Sequence, residues 1–236
     1  MTDHVVGRIV SLFRYPVKSM TSESLDSVEV SWNGLAGDRR WAFIRGSIIS
    51  NGFPWMTIRQ RADMWQYRPR FVEPDRPDDT QTMVMTPSGE EFDVTDPALA
   101  SQLGEGVRLI RQTRGIFDAL PLSLISTRTV DAISALTGFS LEPRRFRPNI
   151  VVETLGDDDY LEDSWVSRTI NFGEVKMRVD KRDKRCMITN VDPDTSEKDP
   201  SVLRAITQNR QAYLGVYGST VQPGRLSVGD SITVES

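Results

Sequence analysis

Apolar residues in this 236-residue chain come in short stretches broken by Gly, Pro, Asn and Asp, and this punctuation constrains the fold more than any other feature. Runs this short suit strands joined by tight turns rather than long core helices. Residues Val5 to Phe13 read as a first strand, and the Tyr15-Pro16 step then forces a bend, because proline drives the residue before it out of helical conformation. A turn is expected around Ser31-Trp32-Asn33-Gly34, followed by a strand from Trp41 to Ile44. Met83 to Met85, the turn Pro87-Ser88-Gly89, and Glu91 to Val94 predict a hairpin. Three prolines and several charges between Arg68 and Thr80 predict an exposed loop.

Three places carry helix start signals. Asp96-Pro97 pairs an N-cap with proline at the first helical position, leading into Ala98 to Leu103 with Gly104 as the stop. Thr127 is expected to cap a second helix that carries Val130, Ile133 and Leu136 at helical spacing and ends at Gly138. Asp199-Pro200 repeats the first signature, with Val202, Leu203 and Ile206 on one face. Alternation returns at Val175-Lys176-Met177-Arg178-Val179 and at Leu226-Ser227-Val228. The chain therefore reads as a β-rich α+β protein without repeats. A boundary near residue 95 divides a β-rich N-terminal part, 1–95, from an α+β part, 96–236.

The chemistry is bounded by two counts: one cysteine, Cys186, and one histidine, His4. One cysteine excludes an internal disulfide, a CxxC pair and a four-cysteine iron–sulfur site. One histidine near the N-terminus argues against Ser-His-Asp, Cys-His and HExxH chemistry. Catalysis would rest on carboxylates, on one thiol or on a bound cofactor. A net charge of −4 gives no nucleic-acid signature, and the five scattered tryptophans are expected in cores or interfaces. No apolar run approaches the roughly 20 residues that span a bilayer, and the start lacks a secretory signal pattern. A soluble, cytoplasmic protein is the expectation.

Three clusters stand out. Cys186 ends the run Lys181-Arg182-Asp183-Lys184-Arg185, whose cations favour a thiolate or a soft-metal ligand. From the residues alone the plainer reading, a small residue at a strand end beside solvated charges, is the stronger one. Arg144-Arg145-Phe146-Arg147-Pro148-Asn149 offers planar guanidinium and amide groups suited to phosphate, carboxylate or heterocycle recognition. The alternative is a surface cluster paired with Asp157, Asp158 and Asp159. Lys18 and Ser19 after a strand, with Arg39 and the glycines Gly34 and Gly37, form a third candidate for anion binding, or a turn with surface charges. Neither GxGxxG nor GxxxxGK[ST] is present. Asp157 to Asp159, with Glu162 and Asp163, lack EF-hand spacing and read as a solvated loop.

Taken in order, the segments YPVKS (15–19), GLAGDRRW (34–41), RFRPNI (145–150), LEDSW (161–165), RCMITNVDPDT (185–195) and PGRLSVGD (223–230) resemble the MOSC family, the molybdenum-cofactor sulfurase C-terminal domain family. The resemblance implies an N-terminal β-barrel-like domain packed on a MOSC β-barrel with a few short helices. The family includes amidoxime-reducing components and bacterial reductases of N-hydroxylated compounds, which hold a molybdopterin-type molybdenum cofactor.

By that resemblance, Cys186 ligates the metal; Lys18, Ser19 and Arg39 grip the cofactor's phosphate; Arg147 and Asn149 contact the pterin; and Asp118 lines the same pocket. A small N-hydroxylated or N-oxide substrate is implied, with electrons from a separate donor protein, ferredoxin-like or cytochrome b5-like with its reductase. No further domain or membrane anchor is expected, and no nucleic-acid partner. The alternatives are a sulfur carrier working through a Cys186 persulfide, and a non-catalytic carrier of the cofactor. Ala119 and Leu120 stand where amidoxime-reducing relatives have hydroxyl residues, and Lys184 replaces a small polar residue two positions before the cysteine.

Overall fold

The computed structural model describes residues 4–47 and 53–235. In chain order the strands are β1 (Val5–Arg14), β2 (Glu23–Leu25), β3 (Ser27–Ser31), β4 (Gly34–Leu35), β5 (Trp41–Ile44), β6 (Arg68–Phe71), β7 (Thr82–Met85) and β8 (Glu91–Asp93). Helix α1 (Pro97–Leu103) leads to β9 (Arg108–Arg111) and β10 (Leu122–Ser126), then α2 (Thr127–Thr137) and β11 (Ile150–Thr154). The chain continues through β12 (Thr169–Phe172), β13 (Val175–Lys184), α3 (Pro200–Arg210), β14 (Tyr213–Gln222), β15 (Gly224–Ser227) and β16 (Ser231–Val234).

Seven strands close into a barrel in the order β11-β10-β14-β13-β12-β16-β1, sealed by antiparallel pairing of β1 with β11 from Gly7↔Thr154 to Leu12↔Ile150. The β10–β11 pair is parallel and α2 makes its crossover, as a parallel pair requires. The barrel thus draws its closing strand from the N-terminal end of the chain. Its interior follows the two-residue period of a strand: Val175, Met177 and Val179 are buried while Lys176 and Arg178 face outward. They pack with Ile9, Leu12, Leu124, Ile150, Phe172 and Ile232 in one core. A second core joins Tyr15, Val17, Phe43, Trp65 and Val84 of the N-terminal part to Val130 and Ile133 of α2 and Val202 and Ile206 of α3.

Several local expectations shift. Arg68 to Phe71 is not loop but β6, paired with β7 from Arg68↔Met85 to Phe71↔Thr82. It tolerates Pro69 because it is the edge of the β6-β7-β8 sheet, where one row of backbone groups needs no partner. Ser126, not Thr127, caps α2: its hydroxyl accepts from Thr129 N at 3.1 Å. Leu136 is exposed on that helix, and Trp32 is exposed on its turn. The caps at Asp96 and Asp199 form as expected, each carboxylate accepting a backbone N–H two residues on. Among the described residues no helix is long and apolar enough to cross a membrane.

Candidate functional site

A cavity of about 390 Å³ lies between the end of β1, the turn before β5, the segment before β10, the turn before β11 and the far ends of β13 and β14. Lys18, Ser19, Arg39, Asp118, Arg147, Asn149 and Cys186 all line it. The described lining holds nine cationic side chains and two carboxylates, in a chain whose net charge is −4. Such a concentration is unfavourable by itself and suits an anionic occupant.

At one end, three non-glycine residues adopt left-handed backbone conformations: Ser19 at φ 70°, Arg39 at φ 50° and Arg147 at φ 54°. Each such residue costs about 1–2 kcal/mol and persists only where its surroundings hold it. Tyr15 is the hub of those surroundings. Its ring lies 4.6 Å from the Arg39 guanidinium and 4.2 Å from that of Arg147, which also stacks on Trp65 at 4.6 Å. Tyr15 N donates to Asp38 Oδ1 at 2.8 Å, and the other Asp38 oxygen pairs with Arg39. Arg39 Nη2 donates to the Arg147 carbonyl at 3.2 Å, and Arg147 Nη1 to that of Met20 at 2.9 Å. Arg147 Nη2 is buried without a hydrogen-bond partner among the described residues. Burial pushes the Arg147 guanidinium down to about 10, yet it stays charged at neutral pH.

Asn149 is spent inside the protein. Its Nδ2 donates to the Phe13 carbonyl at 3.2 Å, and its Oδ1 accepts from Ser123 Oγ at 3.1 Å and from Arg39 Nη1 at 3.4 Å. It borders the cavity chiefly as a positioning group for Arg39. Lys18 Nζ donates to the Ile116 carbonyl at 3.0 Å and to Asp118 Oδ1 at 2.6 Å. Burial lowers the Lys18 pKa despite Asp118. Burial works in the opposite sense on Asp118, but Lys18, with Arg39 and Arg59 behind it, keeps that carboxyl below its ordinary value.

At the other end, Cys186 opens a short 3₁₀ turn over Met187–Asn190, and Thr189 donates both N–H and hydroxyl to its carbonyl. The sulfur is partly exposed, and Arg59 Nη2 lies 3.3 Å from it. Behind it Asp183 and Arg185 are buried and 2.7 Å apart, so this part of the charge run is not solvated. Arg185 is pinned by the Leu214 and Phe146 carbonyls, both at 2.7 Å. Burial pushes the Asp183 carboxyl up to about 6 against Arg185 and a hydrogen bond from Tyr217. Burial, then Asp183, raises the Tyr217 phenol as well.

The acids that meet the Arg144–Arg147 cluster come from the segment after Cys186: Asp192 pairs with Arg145 at 2.5 Å and Asp194 with Arg144 at 3.2 Å. Asp157 instead pairs with Arg128 at 3.4 Å, on the surface, so the expected match with residues 157–159 does not form. Ala119 and Leu120 line the cavity and bring no hydroxyl.

Two family signatures cover the chain: residues 112–233 match the MOSC domain, and residues 6–113 match the MOSC N-terminal beta barrel domain. The chain belongs to the MOSC domain family. It is similar to Mitochondrial amidoxime-reducing component 1 of Mus musculus, 24% identical over 292 residues covering 96% of this chain and 82% of that protein. The human protein of that name is 32% identical over 128 residues, 49% of this chain and 37% of its own length. Molybdenum cofactor sulfurase of Drosophila grimshawi is 27% identical over 275 residues, 96% of this chain and 34% of the sulfurase. The MOSC chain thus spans about a third of the sulfurase. The fold is that of the YuaD protein of Bacillus subtilis, with a TM-score of 0.54 at 15% identity over 98% of this chain and 96% of that one.

Four residues of this MOSC site carry no sequence signal of their role. Tyr15 and Asp38 sit inside recognisable motifs but act through stacking and a backbone contact across 23 positions. Trp65 and Arg59 lie outside every motif, and nothing in Thr57-Ile58-Arg59-Gln60 distinguishes Arg59 from a surface arginine.

Proposed function

We propose that this MOSC protein is a cytoplasmic, molybdenum-cofactor-dependent oxidoreductase that reduces N-hydroxylated or N-oxide compounds, with Cys186 as the protein ligand to the metal. The observation that carries the reading is the pairing, in one cavity, of an unsatisfied buried guanidinium edge at Arg147 with a single accessible thiol at Cys186. The residues present fit the group. A molybdopterin is an anionic heterocycle with a phosphate tail, and it brings sulfur ligands of its own, so one thiolate from the protein suffices. When bound, the cofactor supplies a two-electron redox centre.

The chain's own residues do the rest. Ser19 and Arg39, held in strained conformations, offer a hydroxyl and a guanidinium to the phosphate, with Lys18 behind them. Arg147 keeps its plane fixed between Tyr15 and Trp65 and presents Nη2 to the heterocycle. Asn149 holds Arg39 in register, and Asp118 balances the Lys18 charge. Cys186 binds the metal, and Arg59 offsets negative charge on its sulfur. Reduction of an N-hydroxylated compound consumes two electrons and two protons and yields the N–H compound and water. One cysteine is too few to hold an iron–sulfur cluster, and the donor we propose for the electrons is a separate ferredoxin-like or cytochrome b5-like protein.

A sulfur-carrier reading draws on the same thiol–guanidinium contact, since Arg59 would also stabilise a persulfide anion. It leaves Arg39, Arg147 and Lys18 without work. Metal analysis together with fluorescence of the oxidised pterin, on wild type and Cys186→Ala, separates the readings. Stoichiometric molybdenum in wild type and its loss in the variant are expected. A pterin-loaded protein without molybdenum, or a persulfide mass gain on Cys186 without pterin binding, would reject the reductase.

A further inference from the structure

Arg59, Lys181 and Lys184 line the cavity that holds Cys186 and have no carboxylate ion-pair partner among the described residues. The other cations there are engaged. Arg182 reaches Asp163 at 3.4 Å and stacks on Tyr213 at 4.4 Å, Arg185 holds Asp183, and Arg145 holds Asp192. Lys181 and Lys184 are exposed and fill no core, and the Arg59 guanidinium lies against the Cys186 sulfur and over the face of Phe53.

The backbone goes to some length to bring them together. A regular strand sends successive side chains to opposite faces, so neighbouring residues cannot all line one cavity. In β13 the register against β14 shifts between Val179 and Lys181 and again between Arg182 and Lys184. Residues 181 to 186 then all line the cavity. Bulges disrupt the ladder and re-aim side chains; the first shift places its extra residue, Asp180, in β13, and the second places it in β14. On the proposed reading Lys18, Ser19 and Arg39 answer the cofactor's phosphate and Arg147 its heterocycle, which leaves Arg59, Lys181 and Lys184 as surplus positive charge in the cavity.

We infer that Arg59, Lys181 and Lys184 form a subsite for a compact anionic group, a carboxylate or phosphate monoester, carried by the substrate that presents its N–O bond at Cys186. The inference rests on the reductase reading for which bond is reduced, but the anion subsite itself is testable without turnover. The anionic group is not altered in the reaction; it orients the substrate and raises kcat/KM. Flexible ammonium groups of lysine accept either anion as point charges, and the Arg59 guanidinium can accept it in a planar fork.

The test compares benzamidoxime with its 4-carboxylate and 4-phosphonate analogues, titrated onto the cofactor-loaded protein without reductant and followed by calorimetry. Either anionic compound should bind about tenfold tighter than the neutral one at low salt, because each exposed ion pair contributes a factor of a few. That preference should shrink as salt screens the rim, collapse in the Lys181→Ala/Lys184→Ala double variant, and reverse in Lys184→Glu. Both lysines are exposed, and unchanged thermal unfolding of the variants confirms that the fold is intact. Equal binding of neutral and anionic compounds, or a preference indifferent to the double variant, overturns the subsite. Turnover with a supplied reductant is a separate arm. Failure to reduce any of the three compounds rejects the reductase reading, while the isotherms still decide the anion subsite.

Discussion

Arg59 Nη2 lies 3.3 Å from Cys186 Sγ, linking the segment that follows β5 to the turn that follows β13. The contact spans 127 positions and places a cation on the only thiol of the chain. A guanidinium at this distance stabilises negative charge on sulfur. Arg59→Ala should slow alkylation of Cys186 by iodoacetamide at neutral pH by about three- to tenfold. An unchanged rate in the variant means that the contact does not form in solution.

Ser19 occupies a left-handed conformation at φ 70°, and its side chain makes no hydrogen bond among the described residues. Glycine relieves a strain of about 1–2 kcal/mol but loses more chain entropy on folding. Ser19→Gly should therefore stabilise the protein by up to about 1 kcal/mol in urea unfolding, while weakening retention of the pterin. Destabilisation in the variant would show that the hydroxyl, rather than the backbone, sets the balance at this position.

Lys18 and Asp118 form a lopsided pair: the Lys18 side chain is 5% exposed and that of Asp118 is 51% exposed. Removing the acid leaves a buried ammonium with one carbonyl partner, whereas removing the lysine leaves a carboxylate that water reaches. Asp118→Ala should cost about 1–2 kcal/mol and Lys18→Met less than about 1 kcal/mol, the solvent-exposed partner limiting both. Thermal and urea unfolding of the two variants provide the comparison, and the reverse order contradicts it.

Asp183 gives the stability a pH dependence of unusual sign. Burial raises its carboxyl to about 6 in the folded state, above the ordinary value of about 4. The folded protein therefore binds the proton more tightly than the unfolded chain. That stabilising contribution is complete below about pH 4 and is lost as pH rises through about 6. Asp183→Asn cannot lose it. The stability of the variant relative to wild type should climb between pH 4 and pH 7, by up to about 2–3 kcal/mol. A constant difference across that range would place the titration elsewhere.

What was legible in the sequence follows from how local its cause is. The three helix caps and the alternation at Val175 to Val179 depend on neighbours a few residues away, and they formed with a shift of one residue at Ser126. Where a local rule met a tertiary exception, it failed. Pro69 argues against a strand, but β6 is an edge and needs no partner on that side. The run Lys181-Arg182-Asp183-Lys184 shows no apolar alternation, yet it continues β13 because its backbone pairs with β14, and its side chains line the cavity. Arg145 and Arg144 found their acids at Asp192 and Asp194, beyond Cys186, because the turns before β11 and after β13 meet in space.

By itself the sequence determined the strand-rich α+β class, the punctuation between elements, and a chemistry restricted to one thiol and many cations, because these depend on residue types and short spacings. Only the tertiary structure decided that Tyr15 clamps two arginines, that Asn149 faces inward, that Arg59 reaches Cys186, and that nine cations among the described residues share one cavity in an acidic chain. Those facts come from closing β1 against β11 and from a core that joins the N-terminal part to α2 and α3. Barrel closure brings together residues more than a hundred positions apart, and no periodicity in a linear sequence records that distance.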